Sequence, residues 1–274
     1  MERSTSGTGI CMDLDGELKS CAFGRGADYF GVADLVSARD FIRAQGGERV
    51  AQYPRAVSIG IALQDSLVDL LPERKEYAAA MLYRHNGYDV VNTALDQIAL
   101  AVANIIQRAG YRALPSPASK RASDEKIAGV ISNKLPAHLA GLGWIGKSCL
   151  LVTPDHGPRV RWVTVLTDAP LAPTGTPMEE QCGTCTQCID ACPAQAISGR
   201  EFHEDEPREA RFDAAACDQY FREMEKARGI GVCGMCLYIC PYGRKTRVPD
   251  ESGHKRHEKS GAGDPVQDTA TPAE

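Results

Sequence analysis

The sequence predicts an α+β chain: a mixed helix-and-strand domain over residues 10–177, a small cysteine-rich unit over 178–247, and a disordered tail over 248–274. Three observations predict it. Runs of strand and helix period alternate as far as about residue 170, eight of the eleven cysteines fall after residue 181, and residues 249–274 are poor in apolar side chains and rich in Gly, Pro and charge. A chain of 274 residues is long enough for one large or two modest domains at about 100–200 residues each.

Residues 1–9 are small and polar and are expected to fray. A short strand and turn is expected at 30–35, then a helix at 37–45 stopped by Gly46 and Gly47. Residues 56–63 form an apolar β run. Helices are expected at 72–84 and 88–109; in the second, Val91, Leu95, Ile98, Val102, Ile105 and Ile106 recur at intervals of three and four, which makes one face core. A strand at 111–114 leads into the Pro-rich stretch 115–119 and a polar loop to Lys134. The glycine-rich segment 141–147 then feeds strands at 150–153 and 160–167, and 212–228 reads as a helix within the cysteine-rich unit.

Net charge is -5, and the tail from 249 onward, with three basic and six acidic residues, carries more than half of it. The near-neutral body excludes a broad nucleic-acid-coating surface, though not a local basic patch such as Arg244, Lys245 and Arg247. No window approaches about 18 apolar residues, and the start lacks a basic segment followed by an apolar one. The expected address is cytoplasmic, with no membrane partner. In a reducing compartment, clustered cysteines are metal ligands more often than disulfides.

Cys182, Cys185, Cys188 and Cys192, followed by Pro193, have the spacing C-x2-C-x2-C-x3-C-P that bacterial ferredoxins use for cubane clusters. Three thiolates from one tight loop reach three irons of one cube, and the fourth serves a neighbouring cube. A second motif, Cys233, Cys236 and Cys240 followed by Pro241, lacks one upstream cysteine, and Cys217 lies 16 residues before it. Cross-ligation assigns the first 4Fe-4S cluster to Cys182, Cys185, Cys188 and Cys240, and the second to Cys192, Cys217, Cys233 and Cys236. Paired zinc sites favour two C-x2-C hairpins or added histidines, which this run does not resemble. Gly183 and Gly234 follow the first cysteine of each motif, where the backbone must approach sulfur closely. Cys11, Cys21 and Cys149 have no motif spacing and read as small buried apolar residues.

The segment 140–147 (Ala-Gly-Leu-Gly-Trp-Ile-Gly-Lys), the run 166–171 (Leu-Thr-Asp-Ala-Pro-Leu), both cysteine motifs and the Phe212, Asp213, Cys217, Tyr220 pattern together resemble epoxyqueuosine reductase and, less closely, the reductive dehalogenases. The resemblance runs from about residue 138 to 243 and more loosely back to residue 28. It implies a nitroreductase-like α/β domain followed by a ferredoxin-like double-cluster domain, with a cobalamin between them. Such a cofactor needs low-potential electrons, and cubane clusters span roughly -700 to +450 mV. The resemblance places Gly141, Gly143, Lys147, Ser148 and Arg159 at the cobalamin. The same glycines also serve as plain turns with Trp144 in the core, and the sequence leaves both readings open.

The chain departs from the family where the relatives place a proton-donating aspartate in a Val-Asp-Ser-Ala-Pro context. Here residues 114–119 read Leu-Pro-Ser-Pro-Ala-Ser, so Ser116 takes that place by local pattern and Asp124 is the candidate catalytic acid. The Gly-Arg-Asp-Tyr-His segment is replaced by 87–92, near which His85, Tyr88 and Asn92 are candidates to face a substrate. The expected activity is an iron-sulfur oxidoreductase that takes electrons from an external donor of the ferredoxin or flavodoxin class and passes them to cobalamin for reduction of an unidentified substrate. The alternatives are an electron carrier without cobalamin, and an epoxyqueuosine reductase acting on tRNA, which these departures disfavour.

Overall fold

The computed structural model describes residues 13–244; residues 1–12 and 245–274 lie outside the described residues, and with them the frayed start, Cys11, Lys245, Arg247 and the tail expected to be disordered. Helix α1 (Leu14–Gly24) begins where the Asp13 carboxylate accepts the Gly16 N–H at 2.9 Å. Strand β1 (Tyr29–Asp34), helices α2 (Arg39–Gly46) and α3 (Glu48–Ala51), strand β2 (Arg55–Ala62) and helix α4 (Asp65–Val68) follow.

Leu71–Glu73 is a separate 3-10 turn headed by Pro72, so the helix expected from residue 72 begins only at α5 (Tyr77–Arg84). A π-helical turn, His85–Val90, joins α5 to α6 (Val91–Arg108) without a break, giving a 32-residue helical run. Contrary to the expectation that no window approaches a span, this one helix among the described residues is long and apolar enough, with a best-window mean hydropathy of 1.3, to cross a membrane by length and composition alone, as the core helix of a soluble domain also is. Its face of Val91, Leu95, Ile98, Val102 and Ile106 is buried in the core.

Strand β3 (Ala113–Ser116) lies two residues later than expected. Asp168 explains the shift: it accepts the Arg112 N–H at 2.7 Å and the Arg112 guanidinium at 2.6 Å, which holds Arg112 outside the ladder. Helix α7 (Lys134–Leu139), strands β4 (Trp144–Ile145) and β5 (Leu151–Val152), and strand β6 (Val160–Thr167) complete the first domain. The sheet order is β1-β2-β6-β3 and every neighbouring pair is antiparallel, with Val57 opposite Val165 and Ile59 opposite Val163. Pro115 is tolerated because β3 is an edge strand.

Both faces of this sheet are covered. Phe30, Val32, Val57, Ile59, Val163 and Val165 pack with α1 and α6, while Ala33, Ala56 and Leu166 pack with α2, α3 and α7. The cysteine-rich unit contains α8 (Gln187–Asp190), α9 (Ala214–Arg228) and α10 (Met235–Tyr238). Asp213 caps α9 by accepting the Ala216 N–H at 2.9 Å, and Gly229 ends it in the left-handed conformation. Val232 and Leu237 enter the core shared with α1 and α6, so the two units are fused through apolar contact.

Candidate metal centre and adjoining cavity

Each cysteine motif wraps a short helical turn. Cys188 lies in α8 and Cys236 in α10, and both are preceded by a left-handed glycine, Gly183 at φ +51° and Gly234 at φ +77°. A Cβ on Gly234 would lie 2.9 Å from a Leu71 methyl, so the second loop is pressed against the first domain.

The thiols sort into two neighbourhoods. Cys240 feels Cys188 and Cys185, and Tyr242 beside it feels Cys182. Cys217 feels Cys233 and Cys192, and Cys236 feels Cys233, Cys217 and Cys192 most strongly. Burial pushes the Cys182 thiol up to about 12 and those of Cys217 and Cys240 up to about 11, and it raises Cys188, Cys233 and Cys236 as well. Ungated by metal, these groups are neutral thiols at pH 7. The Ala196 N–H already points at Cys192 Sγ, 3.3 Å away.

A cavity of about 940 Å³, at the upper end for a small-molecule site, opens between α2, the loop before α7 and the segment 202–211. Its wall includes Lys134, Cys149, Phe202 and Arg211. Lys134 is half-buried, and burial lowers its pKa; its Nζ donates to the Cys149 carbonyl. The Arg211 guanidinium stacks 4.6 Å from the Phe202 ring centre and lies 3.9 Å from Cys149 Sγ, while its buried Nε has no partner. Cys149 is buried as expected, but at φ +57° it shapes the cavity wall, which nothing in its spacing announced.

The five residues expected at cobalamin do not line this cavity. A Cβ on Gly141 would meet the Thr176 carbonyl at 2.8 Å and one on Gly143 the Val152 carbonyl at 2.4 Å, so both are close backbone crossings. Lys147 Nζ donates to the Gly183 carbonyl, and Ser148 is buried with its Oγ accepting from the Leu150 N–H at 3.4 Å. Arg159, 3% exposed, donates to Asp65 and Asp69, both at 2.9 Å. Ser116 is buried within β3. Asp124 is 91% exposed and 3.9 Å from Arg121, on the loop whose residues from Lys126 to Ser132 form part of the cavity wall.

Of the residues expected near a substrate, Tyr88 lies under Arg161, His85 is exposed, and Asn92 keeps a buried Oδ1 without a partner. Arg244 sits 5.0 Å from the Tyr238 ring. Cys21 packs against the main core, as a small apolar residue does.

Residues 181–243 match the family model described as a 4Fe-4S double cluster binding domain. The epoxyqueuosine reductase of Listeria monocytogenes is 28% identical over 210 residues, covering 72% of this chain and 50% of the relative. In sequence, the chain is epoxyqueuosine reductase-like. It spans 50–66% of the length of the first three curated relatives it matches. Two solved structures share its fold: a catabolic reductive dehalogenase, 20% identical over 87% of this chain and 34% of that one with a TM-score of 0.61, and an epoxyqueuosine reductase crystallised with an epoxyqueuosine-modified tRNA stem loop, 21% identical over 85% of this chain and 66% of that one with a TM-score of 0.51. The iron-sulfur character of the epoxyqueuosine reductase-like chain and its mixed helix-and-sheet fold thus agree with the sequence reading.

Proposed function

We propose that the chain is a cytoplasmic reductase in which two 4Fe-4S clusters carry electrons from an external ferredoxin- or flavodoxin-class donor to a cobalamin in the cavity beside Arg211. What supports this reading is that the cysteines of the two motifs and Cys217 gather together, Cys217 near Cys233 and Cys192, and Cys240 near Cys188 and Cys185, within a stretch that matches a 4Fe-4S double cluster binding domain. Cys182, Cys185, Cys188 and Cys240 hold one cluster, and Cys192, Cys217, Cys233 and Cys236 the other.

The cavity suits a large polar cofactor because its wall carries an orphaned buried donor, Arg211 Nε, with the Lys134 ammonium beside it. A bound cobalamin supplies low-potential one- and two-electron chemistry at its metal. Around it, Arg211 and Lys134 would bind carbonyl or phosphate oxygens, Phe202 and Ile145 would exclude water, and Asp124, exposed on the loop that continues into the cavity wall, would be the proton source for the substrate. The first domain is then of the nitroreductase-like kind. The names of the relatives favour an epoxyqueuosine-type group on tRNA as the substrate over an unrelated small molecule, in the reverse order to the preference drawn from the missing Val-Asp-Ser-Ala-Pro context.

Anaerobic reconstitution with iron, sulfide and hydroxocobalamin, followed by desalting, metal analysis and low-temperature EPR, tests the reading. About eight iron and one cobalt per chain are expected. Full iron without retained cobalt would leave an electron carrier instead, and half the iron or less would overturn the second ligand set.

A further inference from the structure

The turn between β4 and β5 closes on a single sulfur. Trp144 is 1% exposed and its indole Nε1 is buried without a hydrogen-bond partner, two residues before the glycine that packs on the Cys182 sulfur. A Cβ on Gly146 would lie 3.1 Å from Cys182 Sγ, so only glycine lets the turn approach this closely. Lys147 Nζ donates to the Gly183 carbonyl, and its charge is felt at Cys188. Tyr242 braces the arrangement: its ring meets Trp144 edge-on at 4.7 Å, and its hydroxyl donates to the Gln181 carbonyl at 2.9 Å.

A neutral thiol is a weak acceptor for an indole N–H, whereas a metal-bound thiolate is a good one. An unpartnered indole N–H in the turn that packs on this sulfur gains a good acceptor once Cys182 binds metal as a thiolate. We propose that Trp144, Gly146 and Lys147 form a donor cradle that sets the reduction potential of the cluster held through Cys182. This rests on the ligand assignment above. Adding an electron makes the cluster more negative, so an N–H donor and an ammonium held close to its ligand stabilise the reduced form more than the oxidised one and raise the potential. The turn that the family resemblance placed at the cofactor is thereby assigned to electron supply.

The test is an EPR-monitored anaerobic redox titration of the reconstituted full chain beside Trp144→Phe, Lys147→Gln and Lys147→Arg. Trp144→Phe and Lys147→Gln are each expected to disfavour reduction of one cluster by about tenfold, about 59 mV for a one-electron couple. The other cluster keeps its potential, iron content stays at the wild-type value, and Lys147→Arg restores the Lys147→Gln loss. Unchanged potentials in variants that retain full iron overturn the cradle. Should Trp144→Phe lose iron through misfolding, Lys147→Gln, at a half-exposed position, decides alone. A Cys182→Ser protein with both EPR signals and full iron would instead overturn the ligand assignment, and the cradle with it.

Discussion

Arg161 places its guanidinium carbon 3.5 Å from the centre of the Tyr88 ring while its Nε donates to the Gly87 carbonyl at 3.0 Å. The π-helical turn makes both contacts available, since it frees a carbonyl from the α-helical ladder and swings Tyr88 under β6. Losing the stacking costs about 0.5–2 kcal/mol, and orphaning the buried carbonyl about 1–3 kcal/mol. Arg161→Met is therefore expected to destabilise the chain by about 2–4 kcal/mol in anaerobic urea unfolding, with iron uptake retained.

Arg159 and its two aspartates differ in exposure, and the difference sets an order of severity. The arginine is 3% exposed, whereas Asp65 and Asp69 are 48% and 55% exposed. Removing the arginine leaves two carboxylates that water can solvate; neutralising both carboxylates leaves a buried, unpaired guanidinium, which costs about 3–5 kcal/mol. Asp65→Asn with Asp69→Asn should lower the urea midpoint more than Arg159→Met does.

Cysteine replacements should separate ligands from packing. Cys217→Ser is expected to retain about half the iron of the wild-type chain after reconstitution. Cys149→Ser, at the cavity wall, should retain all of it. Equal iron in the two variants would contradict the assignment of Cys217.

The metal-free chain should lose stability in alkali. Burial holds the Cys182, Cys217 and Cys240 thiols well above their ordinary value of 9.0, at about 12, 11 and 11. The folded state keeps protons that the unfolded state releases above pH 9, so this contribution is complete below pH 9 and is lost as pH rises through 11–12. Urea midpoints of reduced, iron-free protein measured from pH 8 to 11 should fall steadily across the upper half of that range.

The parts that could be read from residues alone were those with a short-range physical signature. The strand around Ile59 and the core face of Val91 to Ile106 follow from apolar periodicity, whereas Gly183 and Gly234 are needed for their left-handed backbone rather than for close approach to sulfur, since a Cβ on Gly183 would meet nothing and one on Gly234 would meet Leu71. Helix α1 was missed although Asp13, with Asp15 and Glu17 in the first turn, is an N-terminal signal that could have found it. The cavity was not legible, because Cys149, Lys134 and Arg211 are brought together by three different segments and none has a motif. The antiparallel pairing of β6 between β2 and β3 is equally non-local, as is the close approach of Gly146 to Cys182.

That pairing governs the order of events as the chain is made. The central strand of the sheet is the last to be synthesised: β6 ends at Thr167, and until it arrives β2 and β3 have no shared neighbour. A nascent chain cut short before Val160 exposes the apolar edges it will later bridge, and long-range pairing of this kind is slow and prone to aggregation. The cysteine loops leave the ribosome directly behind β6, so completion of the sheet and the first opportunity to take up iron fall within moments of each other.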